Sequence, residues 1–272
     1  PEPDLSVCGP LARSAKDLEI ALDIMAGPIG RESRGWQLNL PESRRSNLKD
    51  FKVAIWSNDE IAPVSKEIAE RCEEVGKNLE SVGVNVSYAA KPDHDFLKSE
   101  INYQLLLQSV MQSGMSEEEF KKIEEIANNL ESDDFSVEAI LARGTVLSHR
   151  NWIRQNYARE QTKISWENFF NKWDILICPQ LATTAIEHDH RKISDRTIMV
   201  DNQEQRYFQQ IFWPGLAVNA HLPSTVFPTG LSRDGMPIGL QAIGGAYEDK
   251  TTIKFAELYE QEFKAFVMPN LD

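Results

Sequence analysis

The sequence predicts an α/β fold, because strand-like and helical segments alternate along its 272 residues. Three observations carry this prediction. Residues 51–88 have the pattern strand, helix, strand. Residues 174–178 are a short apolar strand that ends at Pro179. Residues 224–243 form two apolar runs joined by Asp234-Gly235, a pair typical of a two-residue hairpin turn.

The first helix is predicted from Ser14, whose side chain and that of Asp17 make a capping box. Gly27-Pro28 ends this helix, and residues 28–50 are expected to be a loop. Its buried side is predicted to carry five apolar residues: Leu18, Ala21, Leu22, Ile24 and Met25.

The next segments predict a parallel strand pair. Strands are expected at residues 51–56 and 84–88, with a helix from about Ser65 to Val82 between them. The buried face of that helix repeats at helical spacing, at Ile68, Cys72, Val75 and Leu79.

Residues 93–173 are predicted to be almost wholly helical, with a polar break at residues 128–136 and a long helix from about Gly144 to Asn171. This block is interpreted as a helical cap or insertion over the sheet. Beyond residue 179 a polar loop is expected to about residue 203.

The last part of the chain is predicted to contain two more helices. One runs from Gln205 to His221 and is broken at Pro214-Gly215, and the other runs from Lys250 to about Phe266.

The composition of the chain argues against some classes of function. The chain has 29 basic and 42 acidic residues and a net charge of −13, which argues against a nucleic-acid surface. The sequence has no apolar run near the ~20 residues of a membrane span. Three cysteines are too few for a disulfide framework, so a reducing cytoplasm is the expected location.

Three blocks carry a family resemblance. Gly235-Met-Pro-Ile-Gly-Leu-Gln-Ala-Ile-Gly244 resembles the "G-x-P-x-G-x-Q-x-x-G" strand of amidase signature hydrolases. Gly9-Pro-Leu-Ala-Arg-Ser-Ala-Lys-Asp17 resembles their "G-P-x-x-R-S-x-x-D" block, and Trp173-Asp-Ile-Leu-Ile-Cys-Pro179 their "W-D-x-L-x-x-P" strand. The resemblance implies an α/β/α sandwich around a mixed sheet, no cofactor, no metal, and hydrolysis of a small-molecule carboxylic amide.

The catalytic segment of that family has no counterpart here. The family uses a Ser–Ser–Lys triad that precedes the "G-P-x-x-R-S" block, whereas this chain has no Ser-Ser pair and its only Gly-Gly pair is Gly244-Gly245. We therefore expect a C-terminal portion of a longer amidase, with no catalytic residue in this chain and no amide hydrolysis by the chain alone.

The resemblance also indicates which residues would border the substrate. The segment Cys178, Pro179 and Gln180 leaves the end of a strand, where open α/β sheets bind ligands. Phe212 and Trp213, near Phe208, are interpreted either as core or as a wall of the substrate pocket. A structural role is expected for the residues shared with the motifs: Gly9, Pro10, Arg13, Ser14, Gly239 and Gln241.

Two histidine patterns have weaker functional interpretations. His188-Asp-His190 has the spacing of a metal-ligand pair, but polar loops often carry such pairs without a metal. Ser148-His149 is not expected to be a catalytic pair, because neighbours on a helix point about 100° apart.

Two further functions stay open. Missing strands would leave exposed sheet edges and apolar surface, which favours a non-catalytic chain that binds an N-terminal half or itself. An amidotransferase subunit that modifies charged tRNA belongs to the same superfamily, but the charge of −13 and the His188-Asp-His190 loop do not favour it.

Overall fold

The computed structural model describes residues 4–192 and 195–269. The chain separates into two compact units. One comprises the residues up to Val7 together with Pro92–Trp166 and Val218–His221, and the other comprises Cys8–Lys91, Glu167–Ala217 and the residues from Leu222 onward.

A five-stranded mixed sheet is the centre of the larger unit. Its strands are β1 (Lys52–Ile55), β2 (Asn85–Ser87), β3 (Ile175–Pro179), β6 (Ser224–Leu231) and β7 (Pro237–Ile243), in the spatial order β2-β1-β3-β7-β6. β1 pairs in parallel with β2 and β3, whereas β7 pairs antiparallel with β3 and β6. The α/β fold and the mixed sheet are confirmed.

Eight α-helices lie in the described part of the chain. They are α1 (Ala15–Met25), α2 (Lys66–Ser81), α3 (Phe96–Met111), α4 (Glu117–Asn128), α5 (Val137–Thr145), α6 (His149–Phe170), α7 (Phe212–Ala220) and α8 (Asp249–Glu262). None of the helices among these residues combines the length and the apolar character needed to cross a bilayer.

The main core lies between the sheet and α2 and α8. Ile68, Cys72, Val75 and Leu79 are buried on α2, as their spacing predicted. Phe227 of β6 meets Tyr259 of α8 with ring centroids 4.8 Å apart, and Phe51 meets Phe255 at 5.4 Å. Each such buried ring contributes about 1.5–3 kcal/mol through removal of apolar area from water.

The outer side of α1 is more exposed than the sequence predicted. Ser14 does cap the helix, since its side chain accepts a hydrogen bond from the Asp17 N–H. Ile24 and Met25, predicted to be buried, are 79% and 52% exposed. Only one side of α1 packs against the core, through Ala15, Leu18 and Leu22, and no described residue covers the other side.

The prediction of one long helix from Gly144 to Asn171 is wrong at its N-terminal end. α5 ends at Thr145 and α6 begins at His149, where the Ser148 hydroxyl accepts from the Asn151 N–H. Gly144 belongs to α5, where a Cβ would lie 2.7 Å from the Cβ of Gln108 on α3. The glycine therefore marks a close helix–helix contact rather than a helix start.

Residues 197–206 also differ from their prediction. They form a two-stranded hairpin of β4 (Thr197–Val200) and β5 (Gln203–Arg206) where a polar loop and a helix start were expected. Ile198, Val200 and Gln205 are buried while Met199 is exposed, as expected for alternating strand residues. The alternation covers only four residues in each strand, which is too few to distinguish a strand from a loop by sequence.

The break predicted at Pro214-Gly215 is wrong. Pro214 lies inside α7 and does not break it, because the first turn of a helix needs no intrahelical N–H donor.

The β6–β7 connection is longer than the two-residue turn predicted from Asp234-Gly235. In this turn only Gly235 has a positive φ, of 79°, and Ser232 N–H donates to Met236 O at 2.7 Å. The connection therefore has three residues between this closing pair, not two.

Glu100 of α3 makes the stability of the smaller unit depend on pH. Burial raises its pKa to about 7, although the Gln104 side chain donates to its Oε1 at 2.7 Å. A raised carboxyl pKa means that the folded state holds the proton more tightly, so stability falls as pH rises from about 4.5 to 7. We predict that Glu100→Gln raises the unfolding free energy at pH 8 by about 1–2 kcal/mol and has little effect at pH 4.5.

Urea unfolding at several pH values measures this effect. Glu124→Gln, at an exposed position on α4, is the matched control and should leave the pH profile unchanged. A Glu100→Gln profile parallel to that of the wild type would contradict the prediction.

Candidate functional site

The loops after β1 and β3 lie at one edge of the sheet, because the two strands are parallel. Backbone hydrogen bonds connect these loops. Trp56 N–H donates to Ile177 O at 2.9 Å, and Ser65 N–H donates to Ala182 O at 2.8 Å. The candidate site is therefore built on the segment 179–182 and the end of β1, where α/β sheets place ligands.

The Gln241 side chain joins three elements at this edge. It lies on β7 with 1% exposure, and its Nε2 donates to Pro179 O at 2.9 Å and to Trp213 O at 2.8 Å. Its Oε1 accepts from the Ser224 hydroxyl at 2.9 Å. The amide thus fixes the end of β3 relative to the first turn of α7 and to β6.

An aromatic cluster packs beside this amide. The ring of Trp56 meets those of Phe212 and Trp213 edge to face, with centroids 5.9 Å and 5.4 Å apart. Trp213 Nε1 donates to Ala62 O at 3.0 Å. Phe212 and Trp213 are buried in this arrangement, whereas Phe208, in the preceding 3₁₀ turn, is half-buried.

Residues of the β3 segment differ in accessibility. Cys178 and Pro179 are buried, and Gln180 is the first partly exposed residue after the strand. Burial raises the pKa of the Cys178 thiol well above its usual range, so the thiolate needed for nucleophilic attack is disfavoured. Of the segment predicted to line a substrate, Gln180 has the side chain that solvent reaches.

Two motif glycines permit close packing. A Cβ on Gly239 would lie 2.9 Å from Val226 Cγ1, and one on Gly244 would lie 2.7 Å from Thr252 Cγ2. Neither glycine has a positive φ. Their role in this arrangement is to let β7 approach β6 and α8.

Two residues of the Gly9–Ser14 block, Arg13 and Ser14, make structural contacts. Ser14 caps α1, and the Arg13 guanidinium lies 5.9 Å from the Phe266 ring centroid. Gly9 and Pro10 precede these residues on the surface, with Gly9 in open space. No described contact joins this block to the Gln241 amide.

An ionic cluster supports the start of β3. Asp174, buried, accepts from the Lys52 N–H at 2.9 Å and pairs with Arg45 at 3.1 Å and Arg44 at 3.7 Å. The motif identified Asp174 but not its arginine partners, because they come from a loop of irregular sequence about 130 residues earlier. No periodic signal exists that could have indicated them.

The His188–His190 loop does not form a three-ligand site in the structure. The two imidazole centroids are 6.3 Å apart, and the Asp189 carboxylate is paired with Arg191 at 2.7 Å. Arg191 lowers the pKa of Asp189 to about 2. Within residues 4–192 and 195–269, no three His, Cys, Asp or Glu residues are arranged to hold a metal ion.

The Ser148–His149 pair is explained by helix geometry. Ser148 caps α6, and the His149 ring is parallel to that of Trp152 with centroids 6.4 Å apart. The serine hydroxyl is thus occupied by backbone capping.

We predict that Gln241→Leu lowers the unfolding free energy by about 2–4 kcal/mol, because the buried carbonyls of Pro179 and Trp213 lose their donor. Chemical unfolding monitored by tryptophan fluorescence measures the change. Gln261→Leu, at an exposed position on α8, should change stability by less than about 0.5 kcal/mol. Equal effects of the two variants would show that the Gln241 amide does not hold the edge together.

Comparison with known proteins identifies relatives of two kinds. A glutamyl-tRNA(Gln) amidotransferase subunit from Sulfurihydrogenibium sp. (strain YO3AOP1) is 23% identical over 274 residues, which cover 94% of this chain and 54% of that protein. An indoleacetamide hydrolase of Bradyrhizobium diazoefficiens is 24% identical over 263 residues, covering 94% of this chain and 46% of that protein. The chain thus spans about half the length of the curated relatives it matches.

Solved structures agree on the fold. A bacterial aryl acylamidase of the amidase signature family superposes with a TM-score of 0.69 at 16% identity, over 94% of this chain and 53% of that one. The Thermotoga maritima glutamyl-tRNA(Gln) amidotransferase subunit gives a TM-score of 0.70 at 19% identity, over 97% and 55% of the two chains. The family model described as Amidase matches residues 2–253, and the chain therefore belongs to the amidase family.

Proposed function

We propose that this chain is part of an amidase that hydrolyses carboxylic amides through a serine acyl-enzyme, with the Ser–Ser–Lys triad supplied by polypeptide outside these 272 residues. One observation carries the proposal. The amidase model matches residues 2–253, yet the sequence has no Ser-Ser pair and spans about half the length of its relatives.

The chemistry requires three groups that this chain would not supply. A serine must attack the amide carbonyl, a base relay must take its proton, and N–H donors must stabilise the oxyanion. The contribution proposed for this chain is one wall of the substrate site, at the end of β3. There Gln180 would face the substrate, and Cys178, Pro179, Phe212 and Trp213 would hold the wall from behind.

Gln241 has a positioning role in this proposal. Its hydrogen bonds to Pro179 O and Trp213 O fix the loop after β3 against α7. A wall held by buried hydrogen bonds keeps its shape when substrate binds, which reduces the cost of ordering the site.

The substrate class proposed is a small-molecule amide. Among the relatives, indoleacetamide hydrolase and aryl acylamidase are named for aromatic amides, and the amidotransferase subunit is named for glutamyl-tRNA. The net charge of −13 favours a small molecule over a polyanionic RNA. Residues of about 93–173 are proposed to be a helical cap or insertion of the amidase domain.

We predict that the purified chain alone does not hydrolyse amides. Ammonia and aniline release from benzamide, indole-3-acetamide and acetanilide measures the activity, with a fluorophosphonate probe as a second readout. Turnover that the serine reagent abolishes would contradict the placement of the triad outside this chain.

A second candidate is a chain that acts by binding a partner, the polypeptide that carries the remainder of the amidase fold. A nearly continuous exposed stretch favours it. Of residues 23–37 only Pro28 is even half-buried, although the stretch contains large apolar side chains: Ile24, Met25, Ile29 and Trp36. Apolar surface of this extent marks interaction sites in folded proteins.

We predict that this stretch makes the chain bind hydrophobic dye and self-associate. Ile24→Asp/Ile29→Asp should remove most of the anilinonaphthalene sulfonate fluorescence and shift the sedimentation profile toward monomer. Ile126→Asp, at an exposed isoleucine on α4, is the control and should change neither readout. A monomeric wild-type chain that binds no dye would count against the partner-binding candidate.

A further inference from the structure

A cavity of about 460 Å³ lies at the ends of β1 and β2, and it shares Trp56 with the candidate site. Its volume falls within the range of small-molecule sites, and its position at the carboxyl ends of two parallel strands is where α/β sheets bind ligands. The side chains that line it and matter here are Trp56, Ser57, Glu73, Lys77, Tyr88 and Lys91.

Hydrogen-bond donors dominate the polar lining. Lys77, Lys91 and Ser57 carry ammonium and hydroxyl donors, and Glu73 is the one acidic residue in the lining. Asn58 uses its Oδ1 to accept from the Val64 N–H, which leaves its amide N–H groups as donors. The lining is therefore rich in hydrogen-bond donors, and the carboxylates of Asp59 and Glu80 lie beside it, next to Lys91 and Tyr88.

The two lysines are held differently. Lys91 lies over the Trp56 ring, 4.2 Å from its centroid, and pairs with Asp59 at 3.3 Å. Lys77 stands one helical turn after Glu73, a spacing at which such residues often pair. No ion pair within 4 Å joins Lys77 to any acidic group in the part of the chain that the structure describes. Its ammonium is therefore available to an anion in the cavity.

One wall of the cavity depends on a helix glycine. Gly76 lies in the middle of α2, where glycine costs about 1 kcal/mol relative to alanine. A Cβ at this position would lie 2.6 Å from the Tyr88 hydroxyl and 2.8 Å from the ring. The glycine thus admits the aromatic ring against the helix, and the Tyr88 hydroxyl is held by Glu80 at 3.2 Å.

We propose that this cavity binds a small carboxylate with an aromatic or apolar body. Lys77 and Lys91 would bind the carboxylate, and the Tyr88 ring would pack against the body of the ligand. The Glu73 carboxylate opposes a second negative charge, so a monoanion fits better than a dianion. This binding site adjoins the amide-hydrolysis site proposed above, since Trp56 contacts both, but benzoate binding can be tested without any amide hydrolysis.

Titration of the full chain with benzoate, followed by ¹H–¹⁵N correlation spectra, tests the proposal. We expect saturable binding with shifts at residues 55–58, 73–77 and 88–91, and at least about tenfold weaker binding of benzyl alcohol, which has the ring without the charge. Raising the salt concentration should weaken benzoate binding.

Three variants and a control localise the site. Lys77→Gln and Lys91→Gln should each weaken benzoate binding about tenfold, and Gly76→Ala should do so by displacing Tyr88. Lys66→Gln, on the same helix but outside the cavity, should bind like the wild type. Absence of benzoate binding, equal affinity for benzyl alcohol, or unchanged affinity in both Lys77→Gln and Lys91→Gln would overturn the proposal.

Discussion

The candidate site depends on the hydrogen bonds of one buried group, the side-chain amide of Gln241. Its amide group donates to Pro179 O and Trp213 O and accepts from the Ser224 hydroxyl. A single side chain therefore fixes the end of β3, the start of α7 and the outer strand β6. Because an unsatisfied buried carbonyl costs about 1–3 kcal/mol, any rearrangement that breaks this set is disfavoured. In this chain the glutamine of the strand motif therefore has a structural role, shown by its three buried hydrogen bonds.

The parts of the fold predicted from sequence are those with long or repeated patterns. The α2 face at Ile68, Cys72, Val75 and Leu79 and the strands on either side of it were predicted because their periodicity is regular. The β4–β5 hairpin was missed because four-residue strands carry too few alternations. The Arg44–Arg45–Asp174 cluster could not be predicted, since its partners are distant in sequence and follow no period. The roles of Gln180, Phe212 and Trp213 toward substrate stay predictions.

The failed prediction for α1 is informative about assembly. Ile24 and Met25 have the apolar character of buried residues but are exposed, and the same is true of Ile29 and Trp36 in the following loop. We propose that a further polypeptide segment covers this apolar surface. Relatives of the same fold are about twice as long as the matched region, and the neighbour proposed here is the rest of the amidase fold.

The proposed amidase activity requires a catalytic segment located outside this chain, and the nucleotide sequence adjoining the Pro1 codon tests that requirement most directly. We predict that an open reading frame, in the same gene or a neighbouring one, encodes a lysine followed by a Gly/Ser-rich segment with a Ser-Ser pair. A genomic neighbourhood without any such frame would contradict the amidase proposal and leave a non-catalytic binding chain as the better explanation.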